Sequence, residues 1–114
     1  MDPLKFEILQ SLVIKWADEK EIYSTSTVNK QFLKAVAEMG EVADALAKCD
    51  TFATKDEIGD VLVCLINVAH MMGTTLPECL GYAYAKIAQR KGRTVRGVFI
   101  KEEDVIAENY GGTE

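Results

Sequence analysis

The sequence predicts an all-α protein: an antiparallel four-helix, bundle-like protomer with an extended C-terminal arm, which associates with further copies of itself. Three observations carry this expectation. Apolar residues recur three and four apart through most of the chain before Gly92, the spacing of one helix face. Residues that start and stop helices stand at the ends of these stretches. With 114 residues, 48% of them hydrophobic, the chain fits one domain spanning 1–114, and a core this small gains stability from self-association.

Asp2 and Pro3 read as an N-cap and first helical residue, after which Leu4, Ile8, Leu9, Leu12, Val13 and Trp16 line one face of a helix reaching about Glu19. The polar stretch Ser24-Thr25-Ser26-Thr27 is a loop whose last hydroxyl can cap a second helix, about Val28 to Lys48. The apolar stripe of that helix is Phe32, Val36, Met39, Ala43 and Leu46. Lys34, Glu38, Glu41 and Ala45 follow a neighbouring line, so the carboxylates border the core. A third helix spans about Lys55 to Met72, and because Val61 to Ala69 is apolar on nearly every side except at Asn67, it is central. Gly73 stops it and Pro77 opens a fourth helix. Gly92 stands where a C-terminal cap glycine is expected, with Arg90 and Lys91 in the last turn suiting the helix dipole. From Arg93 to Ile100 the chain is β-prone and broken by Gly97, which reads as an extended arm. A short helical turn follows near Glu102 to Glu108, and Gly111 to Glu114 frays.

A net charge of −5 and a pI near 4.9 argue against nucleic acid or a membrane surface as partner, since both attract cations. The N-terminus is not basic, and the longest apolar run, Val61 to Ala69, is too short to span a bilayer. Cys49, Cys64 and Cys79 form no Cys-x-x-Cys pair, which suits reduced thiols in a cytoplasmic protein and disfavours zinc. His70, Cys64, Met71 and Met72 read as packing residues. Tyr82 and Tyr84 stand two apart on one helix and face different directions, so they are not both core, and one of them suits a subunit interface.

The chemistry lies in a phrase that occurs twice, Glu38-Met39-Gly40-Glu41 and Glu57-Ile58-Gly59-Asp60, each followed by valine and an apolar run. Residues three apart on a helix lie about 60° apart on the wheel, so each pair can aim two carboxylates at one point. The short connection between the second and third helices makes them antiparallel neighbours, and counting residues from it brings Glu41 and Asp60 to similar levels. Most Glu-x-x-Glu pairs are solvated faces. Four carboxylates beside apolar runs are costly without a cation, and four oxygen donors suit magnesium. Di-iron bundles use Glu-x-x-His instead, and His70 does not follow a glutamate at that spacing. Gly40 and Gly59 precede the second acid of each pair at a cost of about 1 kcal/mol each in a helix interior. They point to close backbone approach, either for helix packing or as clearance for a metal or ligand.

These residues resemble the MazG-type nucleotide pyrophosphohydrolases of the all-α NTP pyrophosphatase superfamily, whose signature is Glu-x-x-Glu, a spacer, then Glu-x-x-Asp. Fifteen residues separate Glu41 from Glu57 here. The resemblance runs from Gln31-Phe32-Leu33-Lys34 through Glu38 to Val42 and Asp56 to Val63, then to Lys86 and Arg90-Lys91-Gly92-Arg93. The last of these, with Gly97-Val98-Phe99, is similar to compact MazG-like proteins often carried by phages and their hosts. Many relatives carry a further glutamate just before the first motif acid, where this chain has Ala37, so the role of that carboxylate is missing.

The resemblance implies hydrolysis of nucleoside triphosphates between the α and β phosphates, giving a monophosphate and pyrophosphate, by a homodimer or homotetramer. Glu38, Glu41, Glu57 and Asp60 would hold magnesium, with manganese as a substitute, and Glu38 or Glu41 would take the proton from water. Lys86, Arg90, Lys91 and Arg93 are the candidates for phosphate contacts. Lys34 pairs more simply with Glu38 one turn away. Asn67 either hydrogen-bonds the nucleotide or ties the third helix to a neighbour, and Trp16 could stack on a base but at the end of an apolar stripe reads as core. The alternatives are a related enzyme acting on dUTP or phosphoribosyl-ATP, and a non-catalytic helical interaction module.

Overall fold

The structure, a computed structural model, describes residues 5–105. The expected cap at Asp2 and Pro3, the end of the turn at Glu108 and the fraying of 111–114 lie outside them. The protein is mostly helical: α1 (Phe6–Glu19), α2 (Ile22–Thr25), α3 (Val28–Ala47), α4 (Thr51–Met71) and α5 (Leu76–Ile87) precede strands β1 (Gly92–Val95) and β2 (Val98–Lys101). Residues 102–105 form a helical turn. The chain gathers into two compact units, Met1–Pro77 and Glu78–Glu114. Among the described residues no single helix is long and apolar enough to cross a membrane.

In the first unit α3 and α4 form a helical hairpin, with α1 packed on α4. The connection is short because each end is closed locally. The Asp50 amide donates to the Ala45 carbonyl and the Cys49 amide to that of Leu46, which closes α3 with Cys49 in the left-handed region at φ 56°. The Asp50 carboxylate then accepts from the Ala53 amide and starts α4 four residues earlier than the periodicity suggests. Thr27 caps α3 as expected, accepting from Lys30. Part of the polar loop before it is helical, since Ser24 and Thr25 belong to α2.

Among the described residues the buried apolar ones are Ala17, Ala35, Ala45, Cys64, Ile66 and Ala69. Small side chains let α1 and α3 approach α4 closely, and α4 holds the centre as its all-round apolar character predicts. The stripe of α3 does not. Phe32, Val36, Met39 and Leu46 are all exposed, and the line through Ala35, Glu38 and Ala45 turns inward instead. Trp16, expected in the core, is 46% exposed. Gly40 and Gly59 have nothing within 4 Å of a built Cβ, so helix packing does not account for them. Buried polar groups are satisfied across helices: Gln10 on α1 accepts from the Leu76 amide at 3.3 Å, and Asn67 on α4 accepts from the Tyr23 hydroxyl at 2.7 Å.

In the second unit α5 ends at Ile87, before Arg90 and Lys91. Gly92 is not a helix cap: it opens an antiparallel hairpin in which Gly92 pairs with Lys101 and Val95 with Val98. The expected arm is therefore folded on itself. Its turn is Arg96-Gly97, with φ of 51° and 81°, the two positive values that suit a tight turn to the twist of its strands. A Cβ at Gly92 would strike the Ile100 carbonyl and come within 2.7 Å of the Phe99 ring. Glycine stands there for backbone approach.

Candidate metal centre

The antiparallel register of α3 and α4 sets Gln31 beside Asn67 at one level. Two turns along α3 it brings Glu38 to Glu57 and Asp60 on α4. Carboxylate oxygens of these three residues lie within 4.8 Å of one another, and all three side chains are half-buried. Glu41 is exposed and stands apart from this group. It lines a neighbouring polar groove with Asp44, Lys48, Asp50 and Glu57. Glu57 thus borders both.

The crowding has an electrostatic signature. Partial burial, then the charges of Asp60 and Glu38, push the Glu57 carboxyl above its ordinary 4.5, because each disfavours a further negative charge. Lys34 offsets part of it with an ion pair of 3.2 Å to Glu38, and this hydrogen-bonded contact raises the lysine in turn. Buried Cys64, one turn beyond Asp60, has its thiol pushed up by burial and by Glu38, so it stays protonated and inert. Three hard oxygen donors with a residual like-charge conflict fit a hard divalent cation.

Asn67 is 2% exposed and sits in a polar chain. Ser26 accepts from Gln31 at 3.0 Å, Gln31 accepts from the Asn67 amide at 3.4 Å, and Tyr23 donates to Asn67 while its ring lies 4.4 Å from that of His70. The chain ties α2, α3 and α4 together. Burial first, then Asp18, pushes the Tyr23 hydroxyl up, which keeps it a donor. Sequence reasoning missed Tyr23 because a four-residue helix leaves no periodicity. It also missed the acids Asp44 and Asp50 beside Glu41, although Asp44 repeats the spacing of three once more.

The second unit holds the remaining candidates. Lys86 is exposed in the last turn of α5. Arg90 and Lys91 line a concavity with Gln89, Lys101, Glu102 and Glu103, and the Glu102 amide donates to the Lys91 carbonyl at 2.7 Å. Arg93 is exposed on β1, paired with Ile100.

Comparison with known proteins places the stretch of chain that carries these acids in a family. The MazG nucleotide pyrophosphohydrolase domain matches residues 26–95, well over half of the chain, and the chain belongs to that family. It is also similar to an uncharacterized 18.2 kDa protein in the rep-hol intergenic region of Haemophilus phage HP1 (strain HP1c1), with 36% identity over 55 residues, 48% of this chain. The matched segment spans 34% of that relative's length. No solved structure matches the chain.

Proposed function

We propose that this chain hydrolyses nucleoside triphosphates between the α and β phosphates, releasing a nucleoside monophosphate and pyrophosphate, with magnesium as its metal and manganese as a substitute. The observation that carries the reading is the convergence of Glu38, Glu57 and Asp60 to within 4.8 Å in a member of a nucleotide pyrophosphohydrolase family. These three hold the ion, joined by Glu41 from the next turn of α3. When bound, magnesium neutralises phosphate oxygens and acidifies a water. A carboxylate oxygen of Glu41 not engaged with the ion is the better proton acceptor of the two α3 acids, since Glu41 is exposed whereas Glu38 is engaged by Lys34.

Lys86, Arg90, Lys91 and Arg93 supply positive charge for the phosphates, which an acidic chain otherwise lacks. Asn67 joins the nucleotide by exchanging its long 3.4 Å bond to Gln31 for a ligand group. The working form is a cytoplasmic homodimer or homotetramer of bundle-like protomers, supported by the exposed apolar stripe of α3. The test is pyrophosphate release from a panel of nucleoside triphosphates with and without magnesium. Glu41→Gln should lower kcat by about a hundredfold or more. No release from any nucleotide, or full activity in that variant, would sink the reading.

A further inference from the structure

Lys34 brings a cation to the acidic centre from one turn earlier on α3. Its ammonium lies 3.2 Å from a Glu38 carboxylate oxygen, and the lysine side chain is 62% exposed where that of Glu38 is 17% exposed. Asp60, on the facing helix, also helps to hold the proton on this ammonium, so its charge reaches across from α3 to the acids that converge from α4. Helix stability does not account for the pair. Lysine four residues before glutamate is the weaker of the two orders on a helix, and an ion pair with so exposed a member contributes little to stability. Its effect is local: it sets one positive charge against a carboxylate that a divalent ion needs as a ligand.

We infer that Lys34 is a resident counter-ion that changes partner when substrate arrives: it holds Glu38 in the metal-free centre and passes to a phosphate of the nucleotide once Glu38 ligates the ion. The inference rests on the triphosphate reading above. Magnesium entering alone takes Glu38 from Lys34 and leaves the ammonium beside a like charge, which opposes binding. A triphosphate arriving with the ion offers the ammonium new acceptors, and charge-assisted hydrogen bonds to phosphate oxygens are among the strong ones. The flexible four-carbon stem of an exposed lysine can make that exchange, whereas Glu38, mostly buried, stays in place. Metal and nucleotide are thereby coupled. The centre takes the two together in preference to the bare ion, and each raises the affinity for the other by the same factor.

Lys34→Met keeps most of the stem and removes the charge, and two calorimetric titrations read the result. Magnesium alone should bind this variant about fivefold or more tighter than the wild type, because no ammonium competes for Glu38. Inorganic tripolyphosphate at saturating magnesium, which carries the three phosphates and no base to select, should bind it about tenfold or more weaker, and the KM for a hydrolysed nucleotide should rise with it. Opposite movement is the signature. A merely structural pair would weaken both constants, and simple repulsion of the ion would change the first alone. Lys34→Arg, which keeps the cation, should return both constants most of the way to wild type. If pyrophosphate release continues in the wild type while Lys34→Met fails to tighten magnesium or fails to weaken tripolyphosphate, the inference is overturned and the hydrolase reading stands. If the wild type releases no pyrophosphate from any nucleotide, the hydrolase reading fails, and the two titrations, which need no turnover, decide the inference by themselves. A wild type that does not bind tripolyphosphate with magnesium overturns it as well.

Discussion

At the scale of single residues the centre is defined by repulsion. Glu38, Glu57 and Asp60 share one spot, and Glu57 responds by holding its proton above the ordinary 4.5. The folded state then binds more protons than the unfolded state from about pH 4.5 up to the folded value, so the slope of stability with pH is negative in that window. The metal-free protein should lose stability as pH rises through it and level off above. Glu57→Gln should flatten this fall, read as melting temperature against pH in chelator. Asp60→Asn removes one of the repelling charges and should raise the metal-free melting temperature by about 2–5 °C, while abolishing the further rise that magnesium gives the wild type. A lower melting temperature in chelator would make Asp60 a structural residue. The identity of these acids was legible in their repeated spacing. Their grouping was not: residues three apart diverge by about 60° on the helix, so the packing of α3 on α4 draws Glu38 in and leaves Glu41 exposed.

At the scale of elements, glycines separate what the chain requires from what it tolerates. Gly92 faces the Ile100 carbonyl across the hairpin, with no room for a methyl group, whereas Gly40 on α3 faces open space. Gly92→Ala should destabilise by about 1–3 kcal/mol and remove amide-exchange protection from β1 and β2 while sparing α3 and α4. Gly40→Ala should stabilise α3 by up to about 1 kcal/mol, seen as a rise in melting temperature. If it instead lowers pyrophosphate release at unchanged or higher stability, the open space at Gly40 serves the ligand. The two long helices were readable because Thr27 and Gly73 punctuate a clear period. The α3–α4 turn was harder to place, since Cys49 takes the left-handed position that glycine usually marks. The hairpin was hidden for a related reason. Gly92 after a helix signals a cap as readily as a strand start, and only its cross-strand neighbours decide between them.

At the scale of the whole molecule, the buried apolar set among the described residues is four alanines, one cysteine and one isoleucine. Such residues let helices approach but carry little apolar area, and the large side chains lie elsewhere. Phe32, Val36, Met39 and Leu46 on α3 are exposed, as are Ile58 and Leu62 on α4, and Met39, Ile58 and Leu62 share one apolar hollow. The period of three and four along α3 made these residues look like a protomer core, because a stripe of that kind does not say which surface will cover it. Burying each such side chain is worth roughly 1.5–3 kcal/mol, so covering this face with a second copy adds what the alanine-rich interior lacks. The solution mass measured by light scattering should be a multiple of 12.6 kDa, and the melting temperature should fall on dilution, because association stabilises only the folded chain. Met39→Lys, at a position already 58% exposed in the protomer, should shift the mass toward the monomer and lower the melting temperature. A monomeric wild type whose melting temperature ignores concentration would assign this face to solvent, and the stability of so small an interior would then have to come from the α3–α4 hairpin itself.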